Sequence, residues 1–421
     1  MQTNLAEFIR HTPVGLEADA ILRSCVHCGF CTATCPTFQL LGDELDGPRG
    51  RIYLIKQMLE GQPVSEKTQI HLDRCLSCRS CETTCPSGVK YHRLLEIGRD
   101  VIEDRIPRSF ASRAIRFLLC EALPRSWIFN PAVRLGQLLR PLLPAVLADK
   151  VPVSAGPGNR RWPPAKGHQR RMVALAGCVQ PTLTPNTNAA TARVLDHLGI
   201  ELVEVPGAAC CGALRYHLQA QEKARNDMRR VIDAWWPLVE SGRVEGFVMT
   251  ASGCGEHVRV YGEVLRDDPA YAEKAARISA MTRDVSEVLV SEQDRLSDFL
   301  RQIGGATGER VAFHSPCTLQ HAQKIRGLVE ALLTTAGYRL TAVADPHLCC
   351  GSAGTYSISQ PLLATQLRDN KLAALTAGSP DFLVTANIGC QTHLQSGSTA
   401  PVRHWIELLD ERLSDQARSS G

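Results

Sequence analysis

The chain has 421 residues, 44% of them hydrophobic, and a formal net charge of +4. That length suits roughly two to four domains, and so small a charge leaves no electrostatic footprint for nucleic acid. Met1 to Ala20 carries charges without an apolar stretch, so no secretory leader is expected, and no run of about eighteen apolar residues is present to form a membrane-spanning helix.

The first element in chain order is also the most informative. Cys25-x-x-Cys28-x-x-Cys31-x-x-x-Cys35-Pro36 recurs as Cys75-x-x-Cys78-x-x-Cys81-x-x-x-Cys85-Pro86. This is the spacing of bacterial two-cluster ferredoxins and points to two [4Fe–4S] clusters. Two-residue gaps let three thiolates of one loop turn inward around one cluster. The fourth lies too far along the chain to fold back and serves the other cluster. One cluster is therefore assigned to Cys25, Cys28, Cys31 and Cys85, and the other to Cys75, Cys78, Cys81 and Cys35. Zinc sites also use paired cysteines, but not this run twice over. A disulfide framework belongs to small secreted domains, whereas thiols and clusters fit a reducing cytoplasm.

Thirty-nine residues separate Cys35 from Cys75. Within them Ile52, Ile55, Met58 and Leu59 recur at helical spacing, and a second helical stretch runs from Ser65 to Cys75. Arg49 and Arg51 are candidates to approach the clusters and tune them, the alternative for each being a solvated loop. Helical segments are expected over Ala114 to Leu123 and Ala132 to Leu147, packed against the rest of the protein, the alternative being an interfacial face on a membrane or partner, with Cys120 in a buried position. Pro131, Pro141 and Pro144 interrupt the second. Ser154-Ala155-Gly156-Pro157-Gly158 and the basic residues Arg160, Arg161, Lys166, Arg170 and Arg171 mark a linker.

The remainder is an internal repeat. Val173 to Cys178 matches Val311 to Cys317, and thirty-two positions after each of those cysteines stands Cys210-Cys211-Gly212 or Cys349-Cys350-Gly351. Each half then reaches a strand followed by a last cysteine: Phe247 to Thr250 before Cys254, and Phe382 to Thr385 before Cys390. Short apolar strands alternating with helices, such as the stripe of Ile325, Leu328, Val329 and Leu332, predict parallel α/β sheets. The cysteines then lie at the carboxyl ends of the strands, where open α/β sheets bind ligands. Cys178, Cys210, Cys211 and Cys254 form one candidate redox or cluster site, and Cys317, Cys349, Cys350 and Cys390 a second.

The domain plan is a helical ferredoxin module over 1–110, a helical and Pro/Gly-rich basic linker over 111–170, and two Cys-Cys-Gly α/β domains over 171–308 and 309–421. The repeat resembles the Cys-Cys-Gly domains of heterodisulfide reductase-type proteins, which hold a further iron–sulfur cluster. That family ends each domain on Cys-x-x-Cys, whereas here Cys254-Gly255-Glu256-His257 and Cys390-Gln391-Thr392-His393 carry histidine in the last place, and histidine can replace cysteine on iron.

Across essentially its full length the chain resembles the iron–sulfur subunits of bacterial glycolate oxidases. Cys25 to Thr37, Ser315-Pro316-Cys317-Thr318-Leu319-Gln320-His321-Ala322-Gln323 and Thr385-Ala386-Asn387-Ile388-Gly389-Cys390 carry that resemblance. It implies an electron-transfer subunit that takes electrons from FAD-binding partner subunits as they oxidise glycolate to glyoxylate. It also implies peripheral contact with a membrane quinone on the cytoplasmic face of the inner membrane. Equivalent subunits of lactate or anaerobic glycerol-3-phosphate dehydrogenases, and a heterodisulfide reductase-like thiol–disulfide enzyme, are the alternatives. The chain has no Gly-x-Gly-x-x-Gly after a strand and no evident catalytic base. His314, His321 and His347 lie near the repeat cysteines and are expected to be structural.

Overall fold

The computed structural model describes residues 1–142, 151 and 159–419. The segment from Ser154 to Gly158, read as linker, lies outside the described residues. So do the last residues of the helix expected to reach Leu147.

The N-terminal part is helical. Its principal helices are Pro13–Ser24, Pro48–Leu59, Glu66–Asp73 and Tyr91–Arg105. Two begin with proline at the first helical position, where the missing N–H costs nothing. Thr12 caps the first of them, its Oγ1 accepting from the Gly15 N–H at 3.0 Å. Leu22, Ile55, Met58, Leu59, Leu72, Leu94 and Ile102 converge in one core. Each is essentially solvent-free, which contributes about 1.5–3 kcal/mol per large side chain.

Two four-stranded parallel sheets follow. The first holds β1 (Arg170–Ala174), β2 (Ile200–Glu204), β3 (Gly246–Met249) and β4 (Thr282–Asp284), in the order β2-β1-β3-β4. The second holds β5 (Arg310–His314), β6 (Arg339–Leu340), β7 (Phe382–Thr385) and β8 (Val402–His404), in the order β6-β5-β7-β8. The identical order confirms the internal repeat. In each sheet the second strand lies on one side of the first and the third on the other. This reversal opens a crevice at the carboxyl ends, between β1 and β3 or between β5 and β7.

The edge strands β4 and β8 were not foreseen, being three residues each. β6 forms its ladder with β5 only at Arg339 and Leu340. Ile325 precedes its helix, which spans Leu328–Thr335.

The two repeats share one core. Trp405, Leu408 and Leu409 of the C-terminal helix (Trp405–Ser419) join Val194 and Leu195 of helix Asn186–His197 in a single buried cluster. Arg193 clamps Asp410 with two hydrogen bonds of 2.8 and 2.6 Å, and His404 Nε2 meets the Thr250 carbonyl at 2.8 Å.

Helices Phe110–Ala122 and Ser126–Leu139 depart from expectation. Cys120 is buried as foreseen, and Arg215 Nε donates to its carbonyl at 2.9 Å. Most of the apolar residues of this pair nevertheless face outward: Phe110 is 85% exposed, Trp127 74% and Leu138 75%. The amphipathic pattern is real, but the rest of the chain covers only part of its apolar side.

Candidate metal centres

The two ferredoxin loops adopt one backbone path. His27 and Gly29 in the first loop, and Ser77 and Arg79 in the second, all have positive φ, at 58°, 83°, 53° and 60°. Left-handed residues between successive cysteines turn the thiols to one side. Three of these four positions are not glycine, so each stores strain that the surrounding structure holds in place. Short helices, Phe30–Ala33 and Ser80–Thr84, then carry the chain to Cys35 and Cys85.

Cys25, Cys28, Cys31 and Cys85 line one pocket, together with Arg49, Ile52 and Tyr91. Cys35, Cys75, Cys78 and Cys81 line the other, together with Thr37, Arg51 and Tyr91. Cys81 reaches the wall of both, so the pockets adjoin. The donor sets, four soft thiols at each pocket, fit a [4Fe–4S] cluster.

The surroundings differ. At the first pocket Cys28 is exposed and the nearest cation, Arg49, is half-exposed and paired with Glu44 at 2.6 Å. The second is enclosed by buried polar groups. Tyr91 Oη donates to Cys75 Sγ at 3.6 Å and the Ser77 N–H to the same sulfur at 3.4 Å. Thr37 Oγ1 lies 3.3 Å from Cys35 Sγ. Arg51, 1% exposed, sits beside Cys75 and Cys35, and Arg99 donates to the carbonyls of Leu72 and Cys75 at 2.8 Å each.

The second loop also docks on both repeats. Arg79 pairs with Glu256 of the first at 3.1 Å. Thr83 Oγ1 meets His321 Nδ1 of the second at 3.0 Å, and Tyr356 Oη donates to the Arg74 carbonyl at 3.0 Å. Leu76 and Cys78 pack in one apolar cluster with Cys317, Cys349, Tyr356 and Leu363. Burial, with the Cys317 thiol next, pushes the Cys78 thiol well above its ordinary value. The second pocket therefore abuts the cysteine rim of the second repeat.

At each rim four thiols form a chain. In the first repeat Cys210 neighbours Cys178 and Cys211, and Cys211 neighbours Cys254. In the second, Cys317 and Cys349 Sγ lie 4.0 Å apart, and Cys350 follows Cys349 and lies within 4.8 Å of Cys390, sulfur to sulfur. Gly212 and Gly351 share φ of +89°, and a Cβ on Gly351 would lie 2.6 Å from the Ala364 carbonyl oxygen. The Cys-Cys-Gly turn thus needs glycine for conformation and for space.

The final histidines turn away from this chemistry. His393 Nε2 bonds the Ala364 carbonyl at 3.2 Å, and His257 packs among Tyr216, His217 and Tyr261. His321 is structural, its Nε2 on the His347 carbonyl at 2.9 Å. His314, expected to be structural as well, is buried with both ring nitrogens lacking a hydrogen-bond partner. Sequence spacing gave no sign of that.

A family model described as a 4Fe-4S dicluster domain matches residues 21–89, and one described as a cysteine-rich domain matches twice, over 172–259 and 311–395. The glycolate oxidase iron–sulfur subunit of Escherichia coli K12 is 55% identical over 416 residues, covering 99% of this chain and 100% of that protein. The chain belongs to the glycolate oxidase iron–sulfur subunit family. A probable glycolate oxidase iron–sulfur subunit of Bacillus subtilis is 33% identical over 403 residues, 89% of each chain. Lactate utilization protein A of Bacillus licheniformis is 26% identical over 245 residues, 56% of this chain and 97% of that one. Membership of the glycolate oxidase family thus rests on similarity along the whole chain, while the lactate-related likeness covers part of it. Iron–sulfur clusters and an electron-transfer role within an oxidoreductase complex follow from that membership.

Proposed function

We propose that this chain carries electrons from FAD-binding partner subunits, which oxidise glycolate to glyoxylate, towards a respiratory acceptor at the cytoplasmic face of the inner membrane. The observation that carries the reading is the serial arrangement of thiol sites, from an exposed pocket to a buried one to the rim of the second repeat. Cys25, Cys28, Cys31 and Cys85 would hold one [4Fe–4S] cluster, and Cys35, Cys75, Cys78 and Cys81 the other. Bound there, the clusters supply one-electron redox chemistry.

The protein's own residues supply direction. Arg51, Arg99, Tyr91 and Thr37 place positive charge and hydrogen bonds around the inner pocket, which favours added negative charge there over the outer pocket. Val26 and Phe30 are exposed beside Cys28, with Tyr53 edge-on to His27. This apolar collar suits docking of a flavoprotein subunit.

The outward-facing helices support the membrane part of the reading. Phe110, Phe117 and Leu118 on one, and Trp127, Leu135 and Leu138 on the next, leave an apolar stripe open. Residues 106–171 carry twelve Lys and Arg against two acidic residues, so the rest of the chain is net negative although the whole is +4. An apolar stripe within a basic segment matches an anionic bilayer surface. None of the described helices is long and apolar enough to cross a membrane. The holocomplex is expected to co-sediment with vesicles containing phosphatidylglycerol, and Leu138→Glu to weaken that binding roughly tenfold. Equal binding to neutral vesicles, or no effect of the charge, removes the assignment.

The experiment for the main reading is anaerobic affinity purification of the chain from its native cell. Co-purified flavin is recorded and dye reduction compared with glycolate, D-lactate, L-lactate and glycerol 3-phosphate. Flavin with preferential glycolate oxidation is the expected result. Preference for another substrate moves the chain to a different dehydrogenase. A preparation without flavin or any substrate response overturns the reading.

A further inference from the structure

His314 ends β5 at the rim of the second repeat and is 2% exposed. Neither ring nitrogen has a hydrogen-bond partner. A buried imidazole left in that state forfeits the hydrogen bonds it would make in water, and such an orphan asks for an explanation. One ligand atom of His314, Cys350 Sγ and Cys390 Sγ all lie within 4.8 Å of one another, and all three residues are buried. Asn387 Nδ2 donates to Cys390 Sγ at 3.6 Å, fixing that sulfur at the cluster's edge.

Charge points the same way. Lys371 is 3% exposed, donates to the Asp345 carbonyl at 2.8 Å, and lies beside Cys349, Cys350 and Cys390. Thiolates on a bound metal would give that buried amine a negative neighbour.

The first repeat is the internal control. Counting back from Cys317 and Cys178, Leu175 occupies the place of His314. Gly351 abuts Ala364 and Leu367 while Gly212 abuts Ala224 and Asp227, which puts Val231 in the place of Lys371. The first rim keeps its four cysteines but has neither the imidazole nor the ammonium. Only the second rim adjoins Cys78.

We propose that the second repeat holds an iron centre in which His314 is an imidazole ligand alongside Cys350 and Cys390. A tetrahedral ion with bonds of about 2.0–2.3 Å brings nitrogen and sulfur ligands well within that 4.8 Å circle. On binding, Cys350 and Cys390 each release a proton and His314 binds as the neutral ring. The centre sits where the reading above needs an onward station, and it rests on that reading only for its role in electron transfer.

The test uses the anaerobically purified complex with 57Fe. Iron, zinc and acid-labile sulfide are counted per chain, and pulsed EPR is searched for nitrogen coupling. Two cubane clusters account for about eight irons. Iron above that number, with an imidazole 14N coupling, is expected in the wild type. His314→Ala should lose the coupling and most of the excess iron, while His314→Cys should keep the iron and lose the coupling. His393→Ala should change neither. Substrate-dependent reduction of the N-terminal clusters is read in the same samples, so failure of the electron-transfer reading is seen separately. No iron above eight, zinc in its place, or an unchanged 14N coupling in His314→Cys overturns the proposal.

Discussion

Serine at Cys75 is expected to erase one of the two cubane EPR signals and to lower acceptor-linked electron transfer by about two orders of magnitude. Losing a mere outer-shell partner of a metal site typically costs about 10–100-fold, and a ligand costs more. The sharper expectation concerns grouping. Cys25→Ser and Cys85→Ser should erase the same signal although sixty positions separate them, and Cys75→Ser and Cys35→Ser should erase the other. The reason is geometric: Cys85 lines the pocket of the first loop and Cys35 that of the second. Cys120→Ser serves as control, since Cys120 lies apart from both pockets. Signals lost together by Cys75 and Cys85, but not by Cys25 and Cys85, would sink the crosswise assignment.

Asp46→Asn should destabilise the N-terminal part by about 3–5 kcal/mol, the usual result of removing one partner of a buried ion pair. Asp46 is fully buried and accepts from Arg51 Nη2 at 3.3 Å, Arg74 Nη1 at 2.8 Å and His71 Nδ1 at 3.1 Å. Its backbone carbonyl accepts from Thr37 Oγ1 at 2.8 Å. Without the carboxylate, Arg51 keeps only Thr37 and the His71 carbonyl as hydrogen-bond acceptors in a buried site. Denaturant unfolding of the reconstituted chain reads the loss. Adding Arg51→Met should recover much of the stability, because the stranded charge is gone, while the inner cluster's reduction potential falls. A single variant as stable as the wild type would show that the cluster thiolates alone balance Arg51.

Much of this was legible in the sequence because it is local. The cysteine spacing encodes which thiols line each pocket, and the repeat of Cys178, Cys210, Cys211 and Cys254 in the second half predicts the rim of a parallel sheet, which both sheets display. The three-residue strands β4 and β8 were missed because so short a run carries no periodicity. The outward face over residues 110–142 was open in the sequence only as the alternative to packing, for a different reason. Amphipathic spacing reports that a helix has an apolar side and is silent on what covers it. His257 and His393 looked like ligands because they stand where the heterodisulfide reductase-type domains have their last cysteine, and histidine can replace cysteine on iron. The structure gives those imidazoles other neighbours, a tyrosine–histidine cluster and a backbone carbonyl. The orphaned state of His314 depends on four chain segments meeting, which spacing does not reveal.

The docking of Leu76 and Cys78 beneath Cys349, Tyr356 and Leu363 sets an order of assembly. The inner thiol pocket is roofed by residues nearly three hundred positions further along the chain, and the outer one stays open at Cys28. Translation delivers the eight N-terminal thiols long before their lid exists. Iron and sulfide for the inner pocket are therefore best received while the C-terminal half is unfinished or undocked, whereas the outer pocket remains serviceable in the finished subunit. Oxidative damage should follow the same division: the outer site is the one lost first and the one that can be rebuilt without unfolding.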